Sequence, residues 1–242
     1  MATATCPSGK LVVGGGGAIW SQKPGETNNA RLTALIPTRT TFVAEAETQF
    51  LTGGPDWRVD AYAVCANAKA LGDKAGKYRI VPAGNSKEQE RNKFKTAEAR
   101  CPAGTVAYGT GAFVPSNGRI GLQMTRTSTP LDISRATGRA DDAYRPDPRD
   151  PPWVVTSYAI CAQPAGGLHF DAELGPGNGL VHQCSNRSQV VAGPGGGGGL
   201  NDGGQVWLKS LYPHADNDVL VQMTGLFSDR QVLASPTCAD RS

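Results

Sequence analysis

The amino-acid sequence predicts an all-β protein, built as a single domain over residues 1–242 from three antiparallel repeats related by pseudo-threefold symmetry. Three observations carry this expectation. The chain matches itself three times end to end, and a cysteine opens and closes each match. In addition, 31 Gly and 17 Pro among 242 residues favour short elements joined by tight turns over long helices. Without a Gly-X-Y period these glycines do not describe a collagen. The 24 basic and 21 acidic side chains leave a formal charge of +3, so the charge balance calls for no nucleic acid partner. No apolar run approaches the roughly 18 residues of a membrane-spanning helix.

The first repeat, approximately residues 1–76, opens Cys6-Pro7-Ser8-Gly9 and runs through Val13-Gly14-Gly15-Gly16 to close on Trp57, Tyr62 and Cys65-Ala66. The second, approximately 77–166, opens Cys101-Pro102-Ala103-Gly104, passes Gly109-Thr110-Gly111 and closes on Trp153, Tyr158 and Cys161-Ala162. The third, approximately 167–242, opens at Cys184, passes Gln189-Val190-Val191-Ala192-Gly193 and closes at Cys238-Ala239, without the Trp or the Tyr. Opening and closing cysteines stand 59, 60 and 54 residues apart. Six cysteines allow fifteen connectivities, and one staple per repeat (Cys6–Cys65, Cys101–Cys161, Cys184–Cys238) is the most economical. That pairing implies an oxidising compartment and a secreted protein. The alternative is six free thiols in a reducing cell. Residues 1–6 show neither a charged n-region nor an apolar h-region, so no secretory signal is visible.

Within each repeat, short segments bounded by Gly, Pro, Asn and Thr read as strands. They are 11–13, 31–35, 42–46 and 57–64 in the first, 119–124 and 154–160 in the second, and 205–209 and 219–223 in the third. Residues 77–81 and 168–172 add one strand each between repeats, for about twelve to fifteen in all. Ser86 and Gln89 could form a capping box, but residues 86–93 have no apolar stripe and read as a solvated linker before the strand 95–99. The Gly-rich runs 14–17 and 195–199 lack the Lys-Ser/Thr of a phosphate-binding loop. They read as places where backbones approach closely, at a bend or at a crowded pseudo-axis.

The Cys-Pro-x-Gly opening, the Gly-rich turn and the closing Tyr-Ala-Val/Ile-Cys-Ala resemble a repeat of secreted, mostly uncharacterised actinobacterial proteins. Three disulfide-bearing Greek-key units are also similar in architecture to the β-prism of the vitelline membrane outer layer protein. That second resemblance implies a β-prism-like fold. It does not extend to the Asp-Asp-Thr-Ala signature of that family, which Asp141-Asp142-Ala143-Tyr144 follows at only two positions.

Candidate site residues fall in four groups. Residues 132–152 hold five Asp and four Arg and read as a long loop, in which Asp141, Asp142 and Asp147, with Tyr144 beside them, could take sugar hydroxyls or calcium. A solvated loop with local Arg–Asp pairing is the plainer reading. Glu45 and Glu47 share one strand face, the arrangement a glycosidase needs and a wet sheet face also shows. His169, His182 and His214 could ligate zinc, but their spacing is irregular, and no metal or cofactor is expected. Trp57 and Trp153 read as core. Trp20 and Trp207 follow Gly-rich turns and could stack on a sugar ring, with Asn201 and Asp202 as polar partners for Trp207. Ordinary core packing is the alternative for both.

These residues point to a secreted, non-catalytic binding protein that recognises glycans or a cell surface through loops and exposed aromatics. A secreted enzyme acting on polysaccharide or cell wall through loop or strand carboxylates, and a structural or protein-partner module of an envelope or matrix, are the alternatives.

Overall fold

The computed structural model describes residues 1–21, 30–48, 57–85, 94–115, 120–127, 135–142, 153–198, 206–225 and 231–241. They form twenty strands in four antiparallel sheets and one 3-10 turn, Asp73–Ala75. Cystines join Cys6 to Cys65, Cys101 to Cys161 and Cys184 to Cys238, one within each repeated segment. No described helix is long and apolar enough to cross a membrane.

Segment 1–76 supplies β1 (Ala2–Thr5), β2 (Lys10–Ser21), β3 (Ala30–Pro37), β4 (Thr41–Thr48) and β5 (Trp57–Asn67). Segment 77–166 supplies β6 (Arg79–Gly84), β7 (Phe94–Arg100), β8 (Val106–Phe113), β9 (Ile120–Thr127), β10 (Arg135–Asp142) and β11 (Thr156–Ala162). Segment 167–242 supplies β12 (His169–Phe170), β13 (Glu173–Pro176), β14 (Gly179–Gln183), β15 (Gln189–Gly193), β16 (Gly196–Gly198), β17 (Val206–Ala215), β18 (Asp218–Gly225), β19 (Gln231–Ala234) and β20 (Thr237–Asp240).

Each large sheet draws on two segments. Sheet A runs β1-β4-β3-β8-β11-β6, sheet B runs β14-β18-β17-β2-β5, and sheet C runs β13-β19-β16-β9-β10-β7. A small sheet, β12-β20-β15, completes the third segment. None of these orders closes on itself among the described residues. Alternation decides which face is buried. In β4, Phe42 and Ala44 are fully buried while Glu45 and Glu47 lie on the partly exposed side.

The Gly-rich runs are not turns but strand. Residues 14–17 lie within β2 and residues 196–198 form β16, all of them buried. A Cβ on Gly14 would stand 2.6 Å from the Gly193 Cα, one on Gly193 would stand 2.6 Å from the Gly109 Cα, and one on Gly109 would stand 2.9 Å from the Gly14 Cα. Strands β2, β8 and β15 therefore meet at a point that admits no side chain.

The stretch 132–152 also departs from expectation. Its middle is not a loop but β10, which pairs with β7 and β9 and sets Asp141 opposite both Phe94 and Gly121. Gly138 and Ala140 are small because their strand packs closely: a Cβ on Gly138 would lie 2.8 Å from Ala112 Cβ. Arg135, on the same strand, pairs with Glu98 of β7 at 3.2 Å. The alternation is real but carried by small residues, which is why it does not read as apolar periodicity.

Candidate functional site

The outer side of sheet B carries an aromatic platform. β2, β5 and β17 lie side by side, with Gly16 opposite Tyr62 and Trp20 opposite Arg58 on one side, and Gly17 opposite Leu211 on the other. One step along the same ladder sets Tyr212 beside Gly16. A bare glycine thus separates two tyrosines, and their rings close over it, stacked with centroids 4.5 Å apart and planes 14° apart. Trp20 tilts onto Tyr212 at 6.3 Å, and the imidazole of His214 tilts onto the other side at 6.4 Å. Such ring pairs are worth about 0.5–1.5 kcal/mol beyond area burial.

Polar groups surround the rings. Arg58 and Asp60, next to Tyr62 on β5, pair with each other at 3.3 Å. Asp218 lies 3.3 Å from His214 Nδ1 and accepts the Ala215 amide at 2.6 Å, which fixes the end of β17. Burial first, and then Asp60, raises the Tyr62 phenol above its ordinary pKa, while a hydrogen bond with Trp20 opposes the rise. Burial, followed by Tyr62 and Asp218, raises Tyr212 as well. Both phenols therefore stay protonated at neutral pH and can donate as well as accept hydrogen bonds. Trp20 is 42% exposed, so the platform reaches solvent through its indole.

Trp207, the other tryptophan expected to hold a ligand, is a core residue at 3% exposure. The starts of β3, β9 and β17 converge, and a Cβ on Gly121 would lie 2.5 Å from both Arg31 Cδ and Trp207 Cδ1. Arg31 is itself fully buried and stacks its guanidinium 4.9 Å from the Trp207 ring. One large cation, one large aromatic and one glycine fill the junction, which leaves Trp207 no access to a ligand. Lys95 repeats the device on Trp153, with Nζ 4.4 Å from the ring centroid and 2.5 Å from the Trp153 carbonyl.

The remaining expected residues are scattered. Asn201, Asp202, Tyr144 and Asp147 lie outside the described residues, as does the segment 86–93, and of Asp141 and Asp142 the backbone alone is described. The three histidines meet different partners. His214 belongs to the platform. His169 Nδ1 lies 2.8 Å from the Gly167 carbonyl. His182 sits between two carboxylates, Nδ1 2.8 Å from Glu173 and Nε2 3.2 Å from Asp171, the latter off the line of a hydrogen bond. Among the described residues the one group of three with metal-ligating atoms is His169, Asp171 and Cys238, and the Cys238 sulfur is spent in a disulfide.

Asp171 also accepts bonds from the Ser185 hydroxyl and from the amides of Ser185 and Ala172. Burial pushes its carboxyl up, but Ser185 and His182 outweigh burial and hold it below the ordinary range. The Ser185 proton goes to Asp171 and not to the imidazole, so this group is an anchor rather than a nucleophile–base pair.

Of these residues the sequence points to Trp20 as a ligand contact and to His214 only as a possible zinc ligand, and it does not single out Tyr62 or Tyr212. Away from the platform, a concavity of about 640 Å³, bordered by Val13, Val64, Tyr108 and Ala192 with Lys10 and Asp240, lies beside the Cys6–Cys65 bridge. No protein-family model and no curated protein matches this chain.

Proposed function

We propose that the outer face of sheet B binds carbohydrate, and that the protein is a secreted, non-catalytic recognition module for a glycan or a cell surface. The observation that carries this reading is the three-ring array of Trp20, Tyr62 and Tyr212 across adjacent strands, open to solvent at Trp20. The apolar face of a pyranose stacks on such rings, and Arg58, Asp60 and His214 stand at the edge to meet its hydroxyls. Mounting on strands rather than loops keeps the rings in place before the ligand arrives.

The scaffold reading accompanies it: a single pseudo-threefold, β-prism-like domain. Support comes from the sheet orders, in which each large sheet joins one segment to the next in cyclic sequence, and from the mutual approach of Gly14, Gly109 and Gly193. Three disulfides support an oxidising, extracellular setting.

A glycan array probed with the wild type and with Trp20→Ala/Tyr62→Ala tests the function. Binding that the double variant loses supports the proposal. An empty array, or binding the double variant retains, refutes it.

A further inference from the structure

We infer that β5 is a pairing edge for a second copy of this chain. Its counterparts in the other large sheets have a neighbour on both sides: β11 lies between β8 and β6, and β19 between β16 and β13. Among the described residues β5 pairs with β2 alone. The difference shows in the side chains facing the core. On β11 and the residues leading into it, Val155, Ser157, Ala159 and Cys161 are all fully buried. At the matching positions Val59, Ala61, Ala63 and Cys65 are only partly buried, and Trp57 likewise. An eleven-residue strand whose second edge has no neighbour among the described residues, bordered by half-covered apolar side chains, is a template for another strand.

Charge selects the partner and the register. Arg58 and Asp60 flank Val59 on the outer face. When two β5 strands run antiparallel about a twofold axis at Val59, Arg58 of each chain lies opposite Asp60 of the other, so one contact is made twice. Centring on Asp60 or on Arg58 instead would set like charges against each other. The Val59-centred register also lays Trp57 of each chain beside Ala61 of the other, covering the apolar atoms left open in the single chain. The overlap is short, which makes the dimer weak and dependent on concentration.

Sedimentation over a concentration series tests this with the intact chain. The wild type is expected to move from the mass of one 25.3 kDa chain toward twice that mass as concentration rises. Arg58→Asp and Asp60→Arg are each expected to remain monomeric, because each sets like charges across the axis. Mixing the two variants restores opposite charges at both contacts, so the mixture is expected to dimerise. A wild type that stays monomeric throughout overturns the inference. So does a dimer that both single variants keep, or a mixture no heavier than its components. The mixed sample serves as the folding control, since a misfolded variant could not rescue its partner. The readout is mass alone, so its outcome is separate from that of the glycan array.

Discussion

In sheet B, Gly16 of β2 lies between Tyr62 and Tyr212; in sheet A its counterpart, Gly111 of β8, lies between Tyr158 and Ile36. Both glycines are forced by the same contact. A Cβ would fall 1.7 Å from the Leu211 carbonyl oxygen in one sheet and 2.2 Å from that of Leu35 in the other. Four residues on from the glycine, sheet B places Trp20 and sheet A places Pro115. Thr38 stands where His214 would be. In the third segment the glycine two residues past the convergence point is Gly195, whose Cβ would meet Ser235 and Arg126. The backbone arrangement recurs, whereas the three-ring array belongs to sheet B. Packing constraints are thus common to the sheets, and the chemistry is local to one.

That separation has measurable consequences. If the sheets share one scaffold, replacing Cys6 and Cys65 by Ser should cost about 4 kcal/mol, and Cys101 with Cys161 the same, because the loops they close hold 59 and 60 residues. Unequal losses in denaturant titrations would show that one sheet depends on its staple more than the other. Gly16→Val and Gly111→Val should each destabilise by about 3 kcal/mol in the same assay, since the added atoms have nowhere to go.

Binding should divide the two faces. Tyr62→Ala or Tyr212→Ala is expected to weaken glycan affinity about 30-fold, roughly 2 kcal/mol, while Tyr158→Ala leaves it unchanged. Equal losses from Tyr62 and Tyr158 would place the ligand elsewhere. The third segment offers a smaller contrast, a polar anchor in place of an aromatic face. Asp171→Asn should cost about 1 kcal/mol at pH 7. Because the folded carboxyl titrates below its ordinary value of 3.8, its contribution is present above that pH and is lost as pH falls further. The gap between wild type and Asp171→Asn should therefore narrow in denaturation curves taken below pH 3.8.

Much of the scaffold was legible because its signals are local and repeated. The one-per-repeat cysteine pairing, the strands that carry Cys65 and Cys161 and the close backbone approach at 14–17 all go with the chain's self-match. β10 escaped because Gly138 meets the facing Ala112 too closely to carry apolar bulk and its other described buried position, Ala140, is small as well. For Trp207 the structure takes the core-packing reading, and position 207 could not decide between the two because its partners, Arg31 and Gly121, are remote in sequence. Tyr212 was missed for a similar reason. Its role depends on β17 lying beside β2, a pairing that no local pattern reports.

That pairing also governs the order in which the molecule can be assembled. β2 is complete by residue 21, yet its neighbour β17 begins at Val206. Leaving the ribosome, the first segment can join β2 to β5 early. The other side of β2 must then wait, with its amides unmet, until most of the chain has been made. Contacts of such long span slow folding, and while they are pending the glycine-rich strand presents a smooth edge to any passing chain. Its early pairing with β5 protects one flank during that interval, so the strand that closes the first segment also shields the one that must wait for the last.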